Sequence, residues 1–104
     1  MTEETIKQVW KKAKAISGYD SNIWRQDHAG AWIKFSEYGK RSTYGWEIDH
    51  RKPLAKNGSD DDSNLYPLQW ENNRTKGDDY PRFNTSITSN GNTNIVKQLS
   101  WVIN

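Results

Sequence analysis

An adjacent aspartate and histidine, Asp49-His50, are followed in order by Asn64, Asn73 and the basic residues Arg74 and Lys76. Water activation and phosphate handling need these residue types. A histidine, with an unperturbed pKa of about 6.5, is largely neutral near pH 7 and can accept a proton from water. The Asp49 carboxylate is a hard oxygen donor, and the Asn73 amide oxygen is another. Together with phosphate and water oxygens they suit Mg²⁺ or Mn²⁺ better than Zn²⁺. Side chains alternate along a strand, so Asp49 and His50 are expected on opposite sides of the chain, one toward a cation and one toward a water. Asn64 is placed to brace the intervening loop through its amide and to hold the His50 backbone. Arg74 and Lys76, with Arg51 and Lys52 just after the histidine, are candidates for contacts to phosphate oxygens. The chemistry open to such a set is metal-assisted hydrolysis of a phosphodiester.

The ordered string Asp49-His50, Pro53, Gly58, Asn64-Leu65, Pro67-Leu68, Asn73 and Lys76-Gly77-Asp78 resembles the motif of HNH endonucleases in its H-N-N form. The resemblance implies a ββα-metal core, two short strands and a helix around one divalent ion. It implies His50 as general base, Asp49 and Asn73 as metal ligands, and Asn64 as the middle, structural asparagine. DNA, duplex or nicked, is the implied partner. Many relatives frame the helix with two Cys pairs that bind a structural zinc. Here the corresponding places hold Gln69 and Asn72, and the chain has no Cys. No structural zinc is expected, and packing by Trp46, Trp70, Tyr66 and the N-terminal helix is expected to hold the scaffold. Asn rather than His at the third motif position shifts metal preference more than it argues against catalysis.

These residues need elements to position them. Ile6, Val9, Trp10, Ala13 and Ile16 recur at helical spacing, which predicts an amphipathic helix over 3–16. Thr2 is its cap, Glu3 and Glu4 suit its first turn, Lys11, Lys12 and Lys14 its end, and Gly18 its stop. The polar run 19–30 reads as irregular. Strands are expected at Ala31–Phe35 and Tyr44–His50, with Trp46 and Ile48 on one face and Glu47 and Asp49 on the other. A loop over Arg51–Ser63, an extended piece over Asn64–Leu68 and a short helix over Trp70–Lys76, ended by Gly77, follow. In the tail, Asn90-Gly91 signals a hairpin. The run Ile95–Ile103 reads equally as a terminal helix.

Composition bounds the rest. A chain of 104 residues suits one α+β domain over 1–104, with a ββα-metal core at about 43–79 and a C-terminal extension over 80–104. Only 33% of residues are apolar, so six Trp, five Tyr and two Phe must supply much of the core. The tryptophans therefore read as core rather than as base-stacking platforms. The absence of Cys excludes disulfides and thiolate metal sites. Residues 1–17 lack the apolar stretch of a signal peptide, and the expected location is cytoplasmic. A net charge of +2 permits nucleic-acid binding without requiring it. Asp27-His28, a second Asp-His pair, lacks downstream asparagines at the right spacing and reads as a surface or loop-bracing pair. Asp60–Asp62 reads as loop solubiliser, since Gly and Glu are not at EF-hand spacing.

Three functions follow. The first is a metal-dependent DNA endonuclease. The second is a non-catalytic nucleic-acid-binding ββα-metal module, or a subunit of a larger phage, packaging or mobile-element assembly. The third is a toxin-like nuclease neutralised by a partner. A single site cuts one strand, so a double-strand break would need a homodimer or two encounters.

Overall fold

Thr2 caps the first helix as its type predicts. Its hydroxyl accepts from the Thr5 backbone N–H at 3.1 Å, with Glu3 and Glu4 at the positive end of the helix dipole. The computed structural model describes residues 1–104 and places this helix, α1, at Glu3–Trp10. It stops well short of the expected Ile16. Beyond Trp10 the chain turns to pair Lys14 with Gln26 through two backbone hydrogen bonds. The Arg25 guanidinium donates to the carbonyls of Lys11 and Ala13, at 3.2 and 3.0 Å. Carbonyls that a longer helix would satisfy internally are thus met by a side chain from elsewhere, so tertiary contacts override helical periodicity.

The stretch expected to be irregular contains β1 (Trp24–Gln26), antiparallel to β2 (Trp32–Lys34). The predicted strand Ala31–Phe35 is thus present but shorter. β3 (Trp46–His50) pairs antiparallel with β4 (Leu65–Gln69), setting His50 opposite Leu65 and Asp49 opposite Tyr66. β3 starts two residues later than predicted, after a turn in which the Gly45 N–H donates to the Ser42 carbonyl and an added Cβ at Gly45 would lie 1.8 Å from the Lys40 carbonyl oxygen. α2 (Trp70–Lys76) follows directly, so strand, strand and helix succeed one another around the motif residues. The tail is a long hairpin of β5 (Arg82–Asn90) and β6 (Thr93–Val102), which rules out the terminal helix. Its two-residue loop is Gly91-Asn92, one position beyond the expected Asn90-Gly91, with Gly91 at φ 63°.

The core joins α1 to the sheets: Val9, Trp10 and Ala13 pack with Ile33, Trp46 and Leu65. Trp46 is fully buried and meets Trp10 and Tyr38 at centroid distances of 5.3 and 4.9 Å. Trp46 and α1 therefore play the packing role expected of them. Trp70 lies at the margin, its indole N–H donating to the Ser42 carbonyl at 2.8 Å. Tyr66 is only half-buried, under the Arg51 guanidinium rather than in the core.

A buried polar network around the start of α2 adds what packing alone lacks. The Gln69 side-chain oxygen accepts from the N–H groups of Glu71 and Asn72 and caps the helix. The Asp27 Oδ1 accepts from Ala29 and Ala31, and its Oδ2 accepts from the Gln69 N–H and the Asn72 amide. Asp27 does brace a loop, but it is buried, which corrects the surface reading. Burial raises its carboxyl pKa to about 6, although all four hydrogen bonds pull the other way. Asn72 is completely buried; its amide also donates to the Ile87 carbonyl and accepts from the N–H groups of Ser86 and Ile87. Gln69 and Asn72, at the places where the resemblance would put zinc-binding Cys, thus knit α2 to β5 and to the loop after β1 with hydrogen bonds. No helix is long and apolar enough to cross a membrane.

Candidate active site

The end of β3, the loop after it and α2 enclose a cleft of about 300 Å³. Its lining includes Asp49, His50 and Asn73, along with Pro53, Gly77 and Asp78. Asp49 and His50 thus reach the same cleft although neighbours on a strand alternate, because the chain leaves β3 at His50 and the loop wraps round both. The loop is pinned as its sequence suggests. Asn64 Oδ1 accepts from the Lys52 N–H at 2.8 Å, and its amide donates to the carbonyls of Lys52 and Ser59. The Arg51 N–H donates to the Asn64 carbonyl at 2.8 Å, so the backbone on the C-terminal side of His50 is held through Asn64. Gly58 admits this loop's tight path, since a Cβ there would lie 1.7 Å from the Lys52 carbonyl oxygen.

The His50 Nε2 lies 2.7 Å from the Asp60 Oδ1. Asp60 was expected only to solubilise the loop. Its proximity to His50 arises from the wrapped loop, and no local pattern in the sequence announces it. Asp49 is buried and pairs with the Lys76 ammonium at 3.2 Å. Burial pushes the Asp49 carboxyl above its ordinary range, and the charges of Lys76, Arg51 and His50 offset only part of that. The Asn73 amide nitrogen donates to Glu47 at 2.9 Å, which leaves the Asn73 oxygen free of that bond. Arg74 forks onto the same Glu47 at 3.3 and 3.0 Å. Burial raises the Glu47 carboxyl, but the bonds from Arg74 and Asn73 outweigh it and hold it below the usual range. Glu47 was also missed as a site residue, although strand alternation places it on the same face as Asp49.

Lys76 does not stand where a phosphate contact would need it. Its ammonium is buried and donates to the His50 carbonyl at 3.3 Å besides pairing with Asp49. The basic residue that looked like a surface cation is an internal tie between α2 and β3. Arg74 and Lys52 are exposed, and Arg51 is half-buried outside the cleft.

No three His, Cys, Asp or Glu side chains group to hold a metal ion. The cleft nevertheless offers one carboxylate oxygen of Asp49 beyond the one on Lys76, the Asn73 amide oxygen, and the Asp78 and His50 side chains. Such a sparse, oxygen-rich set fits a hard divalent cation that keeps several waters, and no sulfur is present to favour a softer ion.

Residues 32–79, which hold β2, β3, β4 and α2, match the model of the HNH endonuclease family. The resemblance read from the motif therefore stands over that segment, and it points to nuclease activity or nucleic-acid binding. HNH endonucleases act on DNA and generally use a divalent metal. No curated protein and no solved structure matches the chain.

Proposed function

We propose that the protein is a divalent-metal-dependent endonuclease that hydrolyses DNA phosphodiesters, with His50 as general base. The observation that supports this most is the single cleft that holds Asp49, His50 and Asn73, with the Asp60 carboxylate on the His50 Nε2. A carboxylate only accepts, so in the neutral imidazole Nε2 carries the hydrogen and Nδ1 the lone pair. Water attacks phosphorus as its proton passes to the His50 Nδ1. The bond from phosphorus to the leaving 3′-oxygen breaks, and that oxygen takes a proton from solvent. Asp60 holds the ring and stabilises the imidazolium that forms. Asp49 and Asn73 would hold the cation, which supplies charge stabilisation at the phosphate and the leaving oxygen. Lys76 is a positioning residue, since it fixes the Asp49 carboxylate and the His50 carbonyl together. One cleft cuts one strand, so a double-strand break needs two copies or two encounters.

A specific feature favours the second reading, a nucleic-acid-binding module that does not cut. The Lys76 ammonium already neutralises Asp49, so the buried carboxylate is not left uncompensated without a metal. Cleavage of supercoiled plasmid by wild type and His50→Ala, with Mg²⁺, Mn²⁺ or EDTA, separates the two. The nuclease reading expects nicking that needs both the metal and His50. A folded wild type that binds DNA but leaves the plasmid intact in every metal supports the binding module, and cleavage that survives His50→Ala removes His50 from the base role.

A further inference from the structure

Arg51 immediately follows His50 but belongs to a different cavity. A second cleft, of about 290 Å³, is lined by Lys12, Lys14, His28 and Arg51, with Asp27, Tyr66 and Pro67, and shares no residue with the cleft at His50. The Arg51 guanidinium lies 3.6 Å from the Tyr66 ring centroid. Stacking of this kind fixes the plane of the guanidinium and leaves its edge to meet a planar or tetrahedral oxyanion. The Arg51 Nε is buried and has no hydrogen-bond partner. That buried Nε faces away from solvent, so a ligand would meet the terminal nitrogens of Arg51, which lines the cleft; a guanidinium edge of this kind suits an oxyanion.

The other groups in the cleft divide clearly. Lys12 is committed: its ammonium donates to the Leu65 carbonyl at 2.9 Å and pairs with Asp62 at 3.2 Å. The Asp27 carboxylate is also committed, since each of its oxygens accepts two N–H bonds from the protein. Lys14 is exposed at the rim. His28 is held edge-on against Trp101 at a centroid distance of 4.5 Å. Burial first, and then the charge of Arg51, lowers the His28 pKa, so near pH 7 it is a neutral hydrogen-bonding group. Arg51, Lys14 and His28 are the groups left to receive a ligand.

We propose that this cleft is a second phosphate site, which takes a nucleic-acid backbone phosphate other than the one at His50. It rests on the reading that the chain binds DNA, and it gives that reading a place for the duplex beside the cutting cleft. Because Arg51 and His50 are consecutive, their Cα atoms lie about 3.8 Å apart. The chain at the end of β3 forms a narrow ridge with one phosphate-binding cleft on each side. A duplex anchored on Arg51 and Lys14 would be presented to His50 in a fixed register.

The test measures binding of a short fluorescein-labelled duplex in EDTA, by anisotropy over a range of salt, with plasmid cleavage assayed separately. The proteins are wild type, Lys14→Gln, His28→Gln, Arg51→Gln, and Lys97→Gln as a charge-matched control outside the cleft. Lys14→Gln is expected to weaken binding several-fold and to reduce the salt slope by about 0.9, the value for one lost phosphate contact. His28→Gln should weaken binding with the slope unchanged, and Lys97→Gln should match wild type. Because Arg51→Gln also removes a stacking contact, the exposed Lys14 carries the test if that variant fails to fold. Wild-type affinity and slope in both Lys14→Gln and His28→Gln overturn the proposal, as does a wild type that fails to bind duplex. Binding that depends on these residues in a protein that never cuts would keep the site and refute the nuclease, whereas cutting with unchanged binding would do the reverse.

Discussion

Replacement of Asn72 by alanine tests whether hydrogen bonds do here what a metal cross-link does in zinc-bearing relatives. The Asn72 side chain donates to the Asp27 Oδ2 at 3.0 Å and to the Ile87 carbonyl at 2.8 Å, and accepts from the N–H groups of Ser86 and Ile87 at 2.9 and 2.7 Å. Alanine removes all four. Asp27 Oδ2 keeps its bond from Gln69, but the N–H and carbonyl of Ile87, a residue only 6% exposed, lose these partners. Each orphaned buried group costs about 1–3 kcal/mol, so the expected loss is about 2–6 kcal/mol, against a whole-domain stability of about 5–15 kcal/mol. A water that entered the vacated space would bring the loss toward the low end. Urea denaturation followed by fluorescence of the six Trp residues gives the difference directly. Asn72→Asp sharpens the test. It keeps the acceptor for Ser86 and Ile87 but sets a second carboxylate against Asp27, so it should be less stable than Asn72→Ala at pH 7 and recover as pH falls. A loss below about 1 kcal/mol in Asn72→Ala would refute the reasoning, because orphaned buried groups cannot cost so little.

Other outcomes follow from the same contacts. Asp60→Asn should lower the cleavage rate about tenfold or more while leaving the urea midpoint unchanged, because Asp60 is 82% exposed and acts only through His50; an unchanged rate would remove Asp60 from the mechanism. Lys76→Met leaves the Asp49 carboxylate buried and unpaired, and should cost about 3–5 kcal/mol by urea denaturation; a neutral result would mean that Asp49 finds solvent or another partner. The Asp27 pKa of about 6 lies above the ordinary 3.8, so the folded state holds the proton more tightly between those values. Its contribution to stability is therefore fully present below pH 3.8 and is lost as pH rises through about 6. The stability of wild type relative to Asp27→Asn should accordingly improve from pH 7 to pH 5, and a difference that is flat with pH would contradict this. Deletion of residues 91–104 removes β6 and should abolish cooperative unfolding, which a sharp urea transition in the truncated chain would disprove.

Local rules made the cluster of Asp49, His50 and Asn73 legible, and long-range contacts hid its supports. Trp46-Glu47-Ile48-Asp49-His50 alternates and becomes β3, and Gly77 ends α2, so short-range patterning sufficed there, while the Gln69 cap came only with the structure. Asn64 does what an amide at a loop closure can do. Lys76 was misread because basic residues at a helix end are usually solvated, and only tertiary structure shows that Asp49 is buried beneath it. The helix through Ile16 failed for a related reason, since Arg25 and Gln26 compete for the backbone after Trp10. That Asp27 is buried was not legible, because its partners Gln69 and Asn72 lie more than forty residues on. Its neighbour His28 does lie exposed in the turn after β1, but its contact with Trp101 of β6 was not legible.

The tie from Asp27 through Asn72 to Ile87 has a consequence for how the motif can be inherited and assembled. A zinc-knuckle version carries its cross-link inside the segment it stabilises, so that segment can be moved between proteins as a cassette. Here the clasp is shared with a loop upstream and a hairpin downstream, and residues 43–79 are not a portable unit. On a ribosome the nascent chain would present Asp49, His50 and Asn73 well before Ile87 emerged to close the clasp. The candidate site would then be clasped only after Ile87 and the hairpin it belongs to had joined the fold.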